Sequence, residues 1–119
     1  VLEKVKAHVG DVDFAVQPEL VSLLSSRNFG RYADEKGEMK VCFISNNDIT
    51  GGNSGSAMFN SKGELLGLAF DGNWEAMGSD ILYEPKMQRT IGVDVRYILF
   101  MIEKYGKAGN LIKELNIIN

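Results

Sequence analysis

The stretch DITGGNSGSAMFNSKGELLGLAFDGNW, residues 48 to 74, decides how this sequence folds. Its first half places Gly51, Gly52 and Gly55 around Ser54, and its second half contains the short apolar runs SAMFN and ELLGLAF. A simple hairpin needs glycine at only one or two positions of positive φ. The additional glycines therefore indicate that another group approaches this backbone very closely.

The tetrad Gly52-Asn53-Ser54-Gly55 has the residue types of a nucleophilic serine site. A serine hydroxyl needs a base to take its proton, and the tetrahedral intermediate needs backbone N–H donors. Glycine two residues before the serine lets the two N–H groups point to one spot, and Gly55 lets a substrate lie close. The alternative is an ordinary Gly/Ser turn between strands. The α/β-hydrolase and P-loop motifs do not match the spacing.

Length and composition favour one globular domain. The 119 residues are 45% hydrophobic, and the net charge of −3 comes with no Lys/Arg run, which makes nucleic acid an unlikely partner. No apolar stretch approaches the roughly 20 residues that a membrane span needs, and the N-terminus lacks the apolar core of a signal peptide. A chain that begins at Val1 suggests a piece of a longer protein.

The single cysteine and the single histidine predict no catalytic or metal centre. Cys42 cannot form an internal disulfide, and its strand-like surroundings KVCFIS predict an inert, buried thiol. His8 has no cysteine or histidine at metal-ligand spacing, which favours a structural or exposed role. We therefore expect no metal and no cofactor.

Hydrophobic patterning predicts β structure in the middle of the chain and helices around it. Weak alternation over residues 1–17 indicates a strand or extended chain, Pro18 starts a helix that ends near Ser25, and residues 27–39 form a polar surface connection. The runs KVCFIS, SAMFN, ELLGLAF and RTIGVDV predict an antiparallel β segment. Asp94 caps a helix that ends at Gly106, and GNLIKELNII predicts a second short helix.

Three segments, DITGGNSGS, NSKGELLGLAFDGNWEAM and QRTIGVDVRYILFMIEKYGKAGNLIKEL, together resemble the C-terminal end of the dipeptidyl-peptidase 7 and 11 family of bacterial chymotrypsin-like serine exopeptidases. The resemblance extends from about Tyr32 to the end and is weaker before that. It implies a mainly β fold with C-terminal α-helices, part of the second chymotrypsin-like antiparallel β-barrel. Residues 1–119 would then be the C-terminal portion of the serine peptidase domain that carries the nucleophile.

The resemblance also implies residue roles. Ser54 is the nucleophile, and the N–H groups of Gly52 and Ser54 form the oxyanion hole. The strand after the nucleophile hairpin lines the pocket for the residue before the scissile bond, and this wall consists of Phe70, Asp71, Gly72 and Asn73.

Two residues of this wall carry the expected specificity. Asp71 pairs with the free α-amino group of the substrate and so restricts cleavage to dipeptides. Gly72 leaves the pocket open to hydrophobic residues, whereas the sister family has arginine there for acidic ones. Trp74, two residues further on, is expected to be a packing residue.

The implied function is that of a serine aminodipeptidase with peptide substrates that have a free N-terminus. The family carries its catalytic histidine and aspartate far upstream, so the fragment alone is expected to be inactive. The family also implies a homodimeric full-length enzyme in the periplasm, at the cell surface or secreted. The alternatives are a non-catalytic protease-like module that binds peptides, and a trypsin-like endopeptidase in which Asp48, six residues before Ser54, selects Lys or Arg.

Overall fold

The computed structural model describes residues 1–78 and 84–118 of the chain. They form two compact units, one comprising Val1–Glu38 together with the chain from Phe100 onward, and the other comprising Met39–Leu99. The residues of the predicted site, from Asp48 to Asn73, all belong to the second unit. Across the described ranges, none of the helices has both the length and the apolar character that a membrane span requires.

The second unit is built on a four-stranded antiparallel sheet. The strands are β1 (Cys42–Ser45), β2 (Ala57–Phe59), β3 (Leu65–Gly72) and β4 (Thr90–Asp94), in the order β1-β4-β3-β2. Each apolar run that predicted a strand overlaps one of them, and only β3 extends beyond its run, by Asp71 and Gly72, so the prediction of an antiparallel β segment is confirmed. The long strand β3 is a central strand of this sheet, and it contains Phe70, Asp71 and Gly72 of the predicted pocket wall, whereas Asn73 follows its end.

Two glycines allow an aromatic ring to lie against the middle of the sheet. A Cβ atom at Gly67 would lie 2.8 Å from Cε1 of Phe43 and 2.0 Å from the Val93 carbonyl oxygen, and one at Gly92 would lie 2.7 Å from Cζ of Phe43. Real Cβ atoms do not come this close to their neighbours. Glycine at both positions is therefore required for the tight packing of β1 against β3 and β4.

The predicted cap at Asp94 is confirmed. Its Oδ1 accepts a hydrogen bond from the Arg96 backbone N–H at 2.9 Å, at the first turn of helix α3 (Val95–Phe100). The same carboxylate pairs with the Arg96 guanidinium at 2.6 Å, which compensates the burial of Asp94. The chain continues as one turn of π-helix over Met101–Tyr105, and the helix ends with Gly106 as its C-cap, as predicted. Gly106 itself keeps right-handed helical dihedral angles, and the left-handed residue is Lys107, with φ +53°.

The first unit contains short helices around an aromatic core. These are α1 (Leu2–Ala7), α2 (Pro18–Ser25) and α4 (Gly109–Ile112), with single 3₁₀ turns at Val12–Phe14 and Gly30–Tyr32. Phe100 is fully buried, and the rings of Phe29 and Tyr32 meet it edge to face at 5.7 and 6.4 Å between centroids. Pro18 occupies the first turn of α2, which confirms the predicted start of that helix.

Three predictions about the first unit are wrong. Residues 1–17 do not form a strand: Leu2 and Val5, three positions apart, share the half-buried face of α1, and a 3₁₀ turn follows at Val12–Phe14. The segment 27–39 is not only a surface connection, since Phe29 and Tyr32 enter the core. The last helix, predicted over residues 109–118, is limited to Gly109–Ile112.

Two further predictions fail in the second unit. Cys42 is exposed rather than buried, because it lies on edge strand β1 and shares its outward face with Ile44, which is 68% exposed. Trp74 was expected to pack, but 80% of its surface is exposed. Trp74 opens a 3₁₀ helix that spans Trp74–Gly78, directly after β3.

The buried phenol of Tyr32 generates a prediction about alkaline stability. Burial, and then the neighbouring Glu103 carboxylate, raise the pKa of Tyr32 from 10.0 to about 12. The folded protein therefore keeps a proton that the unfolded chain releases near pH 10. The corresponding stability is fully present below pH 10 and is lost as the pH rises towards 12.

We expect Tyr32→Phe to make the midpoint of thermal unfolding fall less steeply between pH 9.5 and 12 than it does in the wild type. The matched control is Tyr105→Phe, which removes a hydroxyl that bonds to Gln17 in the same unit. Circular dichroism melts across this pH range give the measurement. Identical pH slopes for the wild type and Tyr32→Phe would contradict the assignment.

Candidate active site

The glycine-rich loop between β1 and β2 has left-handed backbone at two positions. Gly52 has φ +93° and Gly55 has φ +87°, a region that side-chain-bearing residues rarely adopt. Asn53 closes the loop, because its Oδ1 accepts from the Thr50 N–H at 2.9 Å and its own N–H donates to the Thr50 carbonyl at 3.2 Å. The Asn53 carbonyl also accepts from the Ser56 N–H at 2.9 Å.

Three hydrogen bonds attach this loop to β3. The Gly55 N–H donates to the Ala69 carbonyl at 2.7 Å, and the Ala69 N–H donates to the Ser56 carbonyl at 2.8 Å. The Ser54 hydroxyl donates to the carbonyl of Phe70 at 3.3 Å. The position of Ser54 is therefore set by strand β3 as well as by its own loop.

Ser54 is exposed, and two backbone donors near it are available. Neither the Gly52 N–H nor the Ser54 N–H donates to any acceptor in residues 1–78 and 84–118. Both belong to the residues that the sequence assigned to an oxyanion hole. Their availability is a requirement of that role, which remains a prediction.

Strand β3 contains a bulge where it passes the serine. Ala69 pairs with Gly92 and Asp71 pairs with Ile91, so Phe70 is an extra residue without a partner on β4. Its side chain is 60% exposed. The bulge places the Phe70 carbonyl opposite Ser54, and it determines which way the following residues face.

Asp71 and Gly72 follow the bulge at the end of β3. Asp71 is exposed, and its Oδ1 accepts a hydrogen bond from the Gly72 N–H at 2.8 Å. Asp71 directly follows Phe70, whose carbonyl accepts the hydrogen bond from Ser54, so its backbone lies next to the residue that Ser54 contacts. The fold thus brings Ser54, Phe70, Asp71 and Gly72 to one end of the sheet.

Asn73 uses both ends of its side-chain amide on the backbone. Nδ2 donates to the Met87 carbonyl at 2.8 Å, and Oδ1 accepts from the Arg89 N–H at 2.9 Å. Its backbone N–H donates to the Arg89 carbonyl at 2.9 Å. Asn73 was predicted to bind substrate; in the structure its polar groups hold the end of β3 against the segment before β4.

Asp48 lines a different space from the other predicted residues. A cavity of about 340 Å³ lies against the sheet, and its lining includes Asp48, Asn53, Ser56 and the apolar side chains of Phe43 and Met58. Ser54, Phe70, Asp71 and Gly72 do not line it. Asp48, which is exposed, therefore lines this cavity and is not grouped with Ser54, Phe70, Asp71 and Gly72.

His8 is engaged locally in the first unit. Its ring stacks on Phe14 at 4.1 Å between centroids, and Nδ1 lies 2.9 Å from the Lys4 carbonyl oxygen. The predicted structural role is confirmed. Within the described ranges, no group of three or more His, Cys, Asp or Glu residues is arranged to hold a metal ion.

Sequence reasoning missed the loop-closing role of Asn53. An asparagine inside a glycine-rich turn commonly accepts a backbone N–H through its side chain, and this signal was available between Thr50 and Ser54. It also missed Ala76, a buried residue of the 3₁₀ helix whose methyl group lies beside Gly72.

Comparison with known proteins gives consistent matches over nearly the whole chain. The model of the family described as Peptidase S46 matches residues 1–117. The chain is 62% identical over 106 residues to Dipeptidyl-peptidase 7 of Porphyromonas endodontalis, and 48% identical over 106 residues to the Asp/Glu-specific dipeptidyl-peptidase of Porphyromonas gingivalis. Each match covers 89% of this chain.

A solved structure has the same fold. The crystal structure of Porphyromonas endodontalis DPP11 in complex with the dipeptide Arg-Glu superposes with a TM-score of 0.88 and 44% identity, over 95% of this chain and 16% of that one. The antiparallel sheet with its few helices is thus similar to part of a larger protein. The chain spans only 13% and 15% of the two curated relatives.

The contacts of Asn53 predict a loss of order in the serine loop when its side chain is removed. Asn53→Ala deletes the acceptor of the Thr50 N–H, so we expect hydrogen–deuterium exchange of the peptide 48–56 to become faster by about tenfold. Asn53→Asp keeps an oxygen at the same position and is the matched control. Equal exchange rates in Asn53→Ala and Asn53→Asp would contradict the proposed closure.

Proposed function

Because this chain belongs to the Peptidase S46 family, we propose that it is the nucleophile-bearing part of a serine dipeptidyl-peptidase that releases dipeptides from the free N-terminus of peptides. One observation carries the proposal: Ser54 projects from a glycine loop attached to β3, beside two backbone N–H groups that have no acceptor among the described residues. A nucleophilic serine needs this combination of an exposed hydroxyl and preorganised donors.

The reaction follows from these groups. Ser54 Oγ attacks the carbonyl of the scissile bond, and the N–H groups of Gly52 and Ser54 stabilise the negative charge that develops on the carbonyl oxygen. The usual base is a histidine oriented by an aspartate: it takes the serine proton, returns it to the leaving amine as the C–N bond breaks, and then activates the water that hydrolyses the acyl-enzyme. We infer that the remainder of the full-length protein supplies this pair, and that the fragment alone is inactive.

The sheet supports a further structural proposal. We infer that it is part of the second antiparallel barrel of a chymotrypsin-like fold. Apolar side chains at the sheet edges are strongly exposed, among them Ile44 at 68% and Phe59 at 60%. Exposed edge strands with such side chains are normally covered, and the relatives have ample additional chain to do so.

Asp71 is proposed to select the free N-terminus. Its carboxylate is exposed at the serine end of β3, where it can pair with the α-amino group of a substrate two residues away from the scissile bond. Such a pair fixes the distance between the N-terminus and the cleaved bond. The enzyme would therefore release dipeptides and would spare peptides with blocked N-termini.

Gly72 is proposed to set a hydrophobic preference before the scissile bond. An acidic group entering a pocket without a cationic partner would lose its hydration without compensation. The higher identity to a relative named Dipeptidyl-peptidase 7 than to one named Asp/Glu-specific supports this branch. Asp48 lines a cavity whose lining includes neither Ser54 nor Asp71, which supports a dipeptidase over a trypsin-like endopeptidase. We extend the proposal to a homodimeric bacterial enzyme that acts in the periplasm, at the cell surface or outside the cell.

The test of this function uses the full-length protein and peptides with free and with acetylated N-termini. We expect release of N-terminal dipeptides, preferentially after Leu or Met, and loss of activity by at least about 10³-fold in Ser54→Ala. Acetylated peptides should not be cleaved, and the isolated 119-residue chain should show no turnover. Binding without cleavage would indicate a peptide-binding module, and cleavage of acetylated peptides after Lys would indicate an endopeptidase that uses Asp48.

The role of Asp71 can be separated from its structural contact. Asp71→Asn keeps an acceptor for the Gly72 N–H but removes the charge, whereas Asp71→Ala removes both. We expect both variants to lower kcat/KM for free-N-terminus dipeptidyl substrates by about 10- to 100-fold, because each loses the ion pair. Acylation of Ser54 by a small phosphonate should change less than about threefold, since the reagent lacks an α-amino group. Recovery of activity in Asp71→Asn would instead assign Asp71 a structural role.

A further inference from the structure

The end of β3 contains a glycine that its backbone does not require. Gly52 and Gly55 have positive φ, but Gly72 is not among the residues with left-handed backbone. It pairs with Thr90 in ordinary strand geometry. A side chain at position 72 is therefore limited by the space around it and not by backbone strain.

That space is closed mainly by Ala76. A Cβ atom built at Gly72 would lie 2.8 Å from Cβ of Ala76, 3.6 Å from Cγ2 of Ile49 and 3.8 Å from the Arg89 carbonyl oxygen. The contacts to Ile49 and Arg89 are ordinary van der Waals distances, whereas a contact of 2.8 Å forces one group to move. Among these neighbours, Ala76 is therefore the one that must shift if position 72 carries a side chain.

Ala76 is held in place and cannot move aside cheaply. Its N–H donates to the Asn73 carbonyl at 2.9 Å, which forms the turn that returns the chain towards Gly72. The Asn73 amide in turn is fixed to the backbone of Met87 and Arg89. Ala76 is buried, with 9% of its surface exposed.

Ile49, the second apolar neighbour of position 72, is held in place independently of Ala76. Ile49 follows Asp48 on the serine loop, and the Thr90 hydroxyl donates to the Asn47 carbonyl at 2.7 Å, which ties this part of the loop to β4 opposite Gly72. The methyl groups of Ile49 and Ala76 thus approach Gly72 from two different segments. They form an apolar surface around a position without a side chain.

We propose that Ala76 is a second specificity-determining residue, which acts with Gly72 by controlling how much room is left beside the end of β3. The inference rests on the proposed peptidase function and goes beyond it: the residue accepted before the scissile bond depends on the pair 72/76 and not on Gly72 alone. A larger residue at 76 narrows the pocket. In this chain a larger residue at 72 requires Ala76 to shift or to be replaced by glycine.

The contact can be tested without any activity measurement. In the full-length protein, Gly72→Ala should lower the unfolding midpoint by about 1 °C, because the added methyl meets Ala76. In the Ala76→Gly background the same Gly72→Ala substitution should lower it by less than half as much. The control background is Ala69→Gly, which also deletes a buried methyl group. Ala69 lies on β3, the strand that contains Gly72, but it is not among the nearest neighbours of position 72.

In the Ala69→Gly background, Gly72→Ala should have its full effect, because distant or non-contacting sites add. An equal effect of Gly72→Ala in the wild-type, Ala76→Gly and Ala69→Gly backgrounds would overturn the proposal, since Ala76 would not then close position 72.

The specificity role is tested with dipeptidyl substrates that end in Ala, Leu, Met or Glu. We expect Ala76→Val to lower kcat/KM for Leu and Met at least tenfold more than for Ala. We expect Gly72→Arg with Ala76→Gly to cleave the Glu substrate at least tenfold better than Gly72→Arg alone, since the guanidinium then has room to enter as a partner for the acid.

The two possible failures are distinguishable. If the wild-type enzyme cleaves none of the substrates, the proposed function is wrong, and the specificity role is wrong with it. The unfolding midpoints would still decide whether positions 72 and 76 are in contact. Normal dipeptide release with unchanged Leu-to-Ala and Glu-to-Leu ratios in the Ala76 variants would sink the specificity role alone.

Discussion

The attachment of the serine loop to β3 is the constraint on which the rest of the site depends. Two backbone hydrogen bonds between Ala69 and the Gly55–Ser56 segment, at 2.7 and 2.8 Å, extend the pairing of β2 and β3 into the loop. Gly52 and Gly55 adopt positive φ in the loop that turns the chain back onto the strand, a conformation that glycine reaches without strain. These hydrogen bonds hold Ser54 beside Phe70 of β3.

The bulge at Phe70 then determines what stands opposite the serine. Without the extra residue, β3 would continue its alternation and the positions after Ala69 would face the opposite sides of the sheet. With it, the Phe70 carbonyl accepts from Ser54, and Asp71 and Gly72 follow at the open end of the strand. One irregularity in the pairing of β3 with β4 thus positions both the Phe70 carbonyl that Ser54 contacts and the residues proposed for substrate selection.

The sequence predicted well those elements whose signals are local. Apolar runs bounded by turn residues located all four strands, and Asp94 located the start of α3, because capping and alternation act over a few residues. Burial was predicted less well. Cys42 is exposed because β1 lies at the edge of the sheet, and Phe29 and Tyr32 are buried because Phe100, about 70 residues away in the chain, packs on them. No pattern within one window of sequence contains such information.

Position 72 shows the same limit within the site itself. All three glycines at positions 52, 55 and 72 look alike in a sequence, yet two of them are required by backbone conformation and one by a methyl group four residues further on. The distinction has an energetic consequence, because backbone strain at a positive φ cannot be relieved by changing a neighbour, whereas a steric contact can. The side chain that fits at position 72 therefore depends on the residue at position 76. The effect of substituting Gly72 alone therefore combines two contributions: the resistance of the Asn73–Ala76 turn to movement, and any change in the proposed pocket for the residue before the scissile bond.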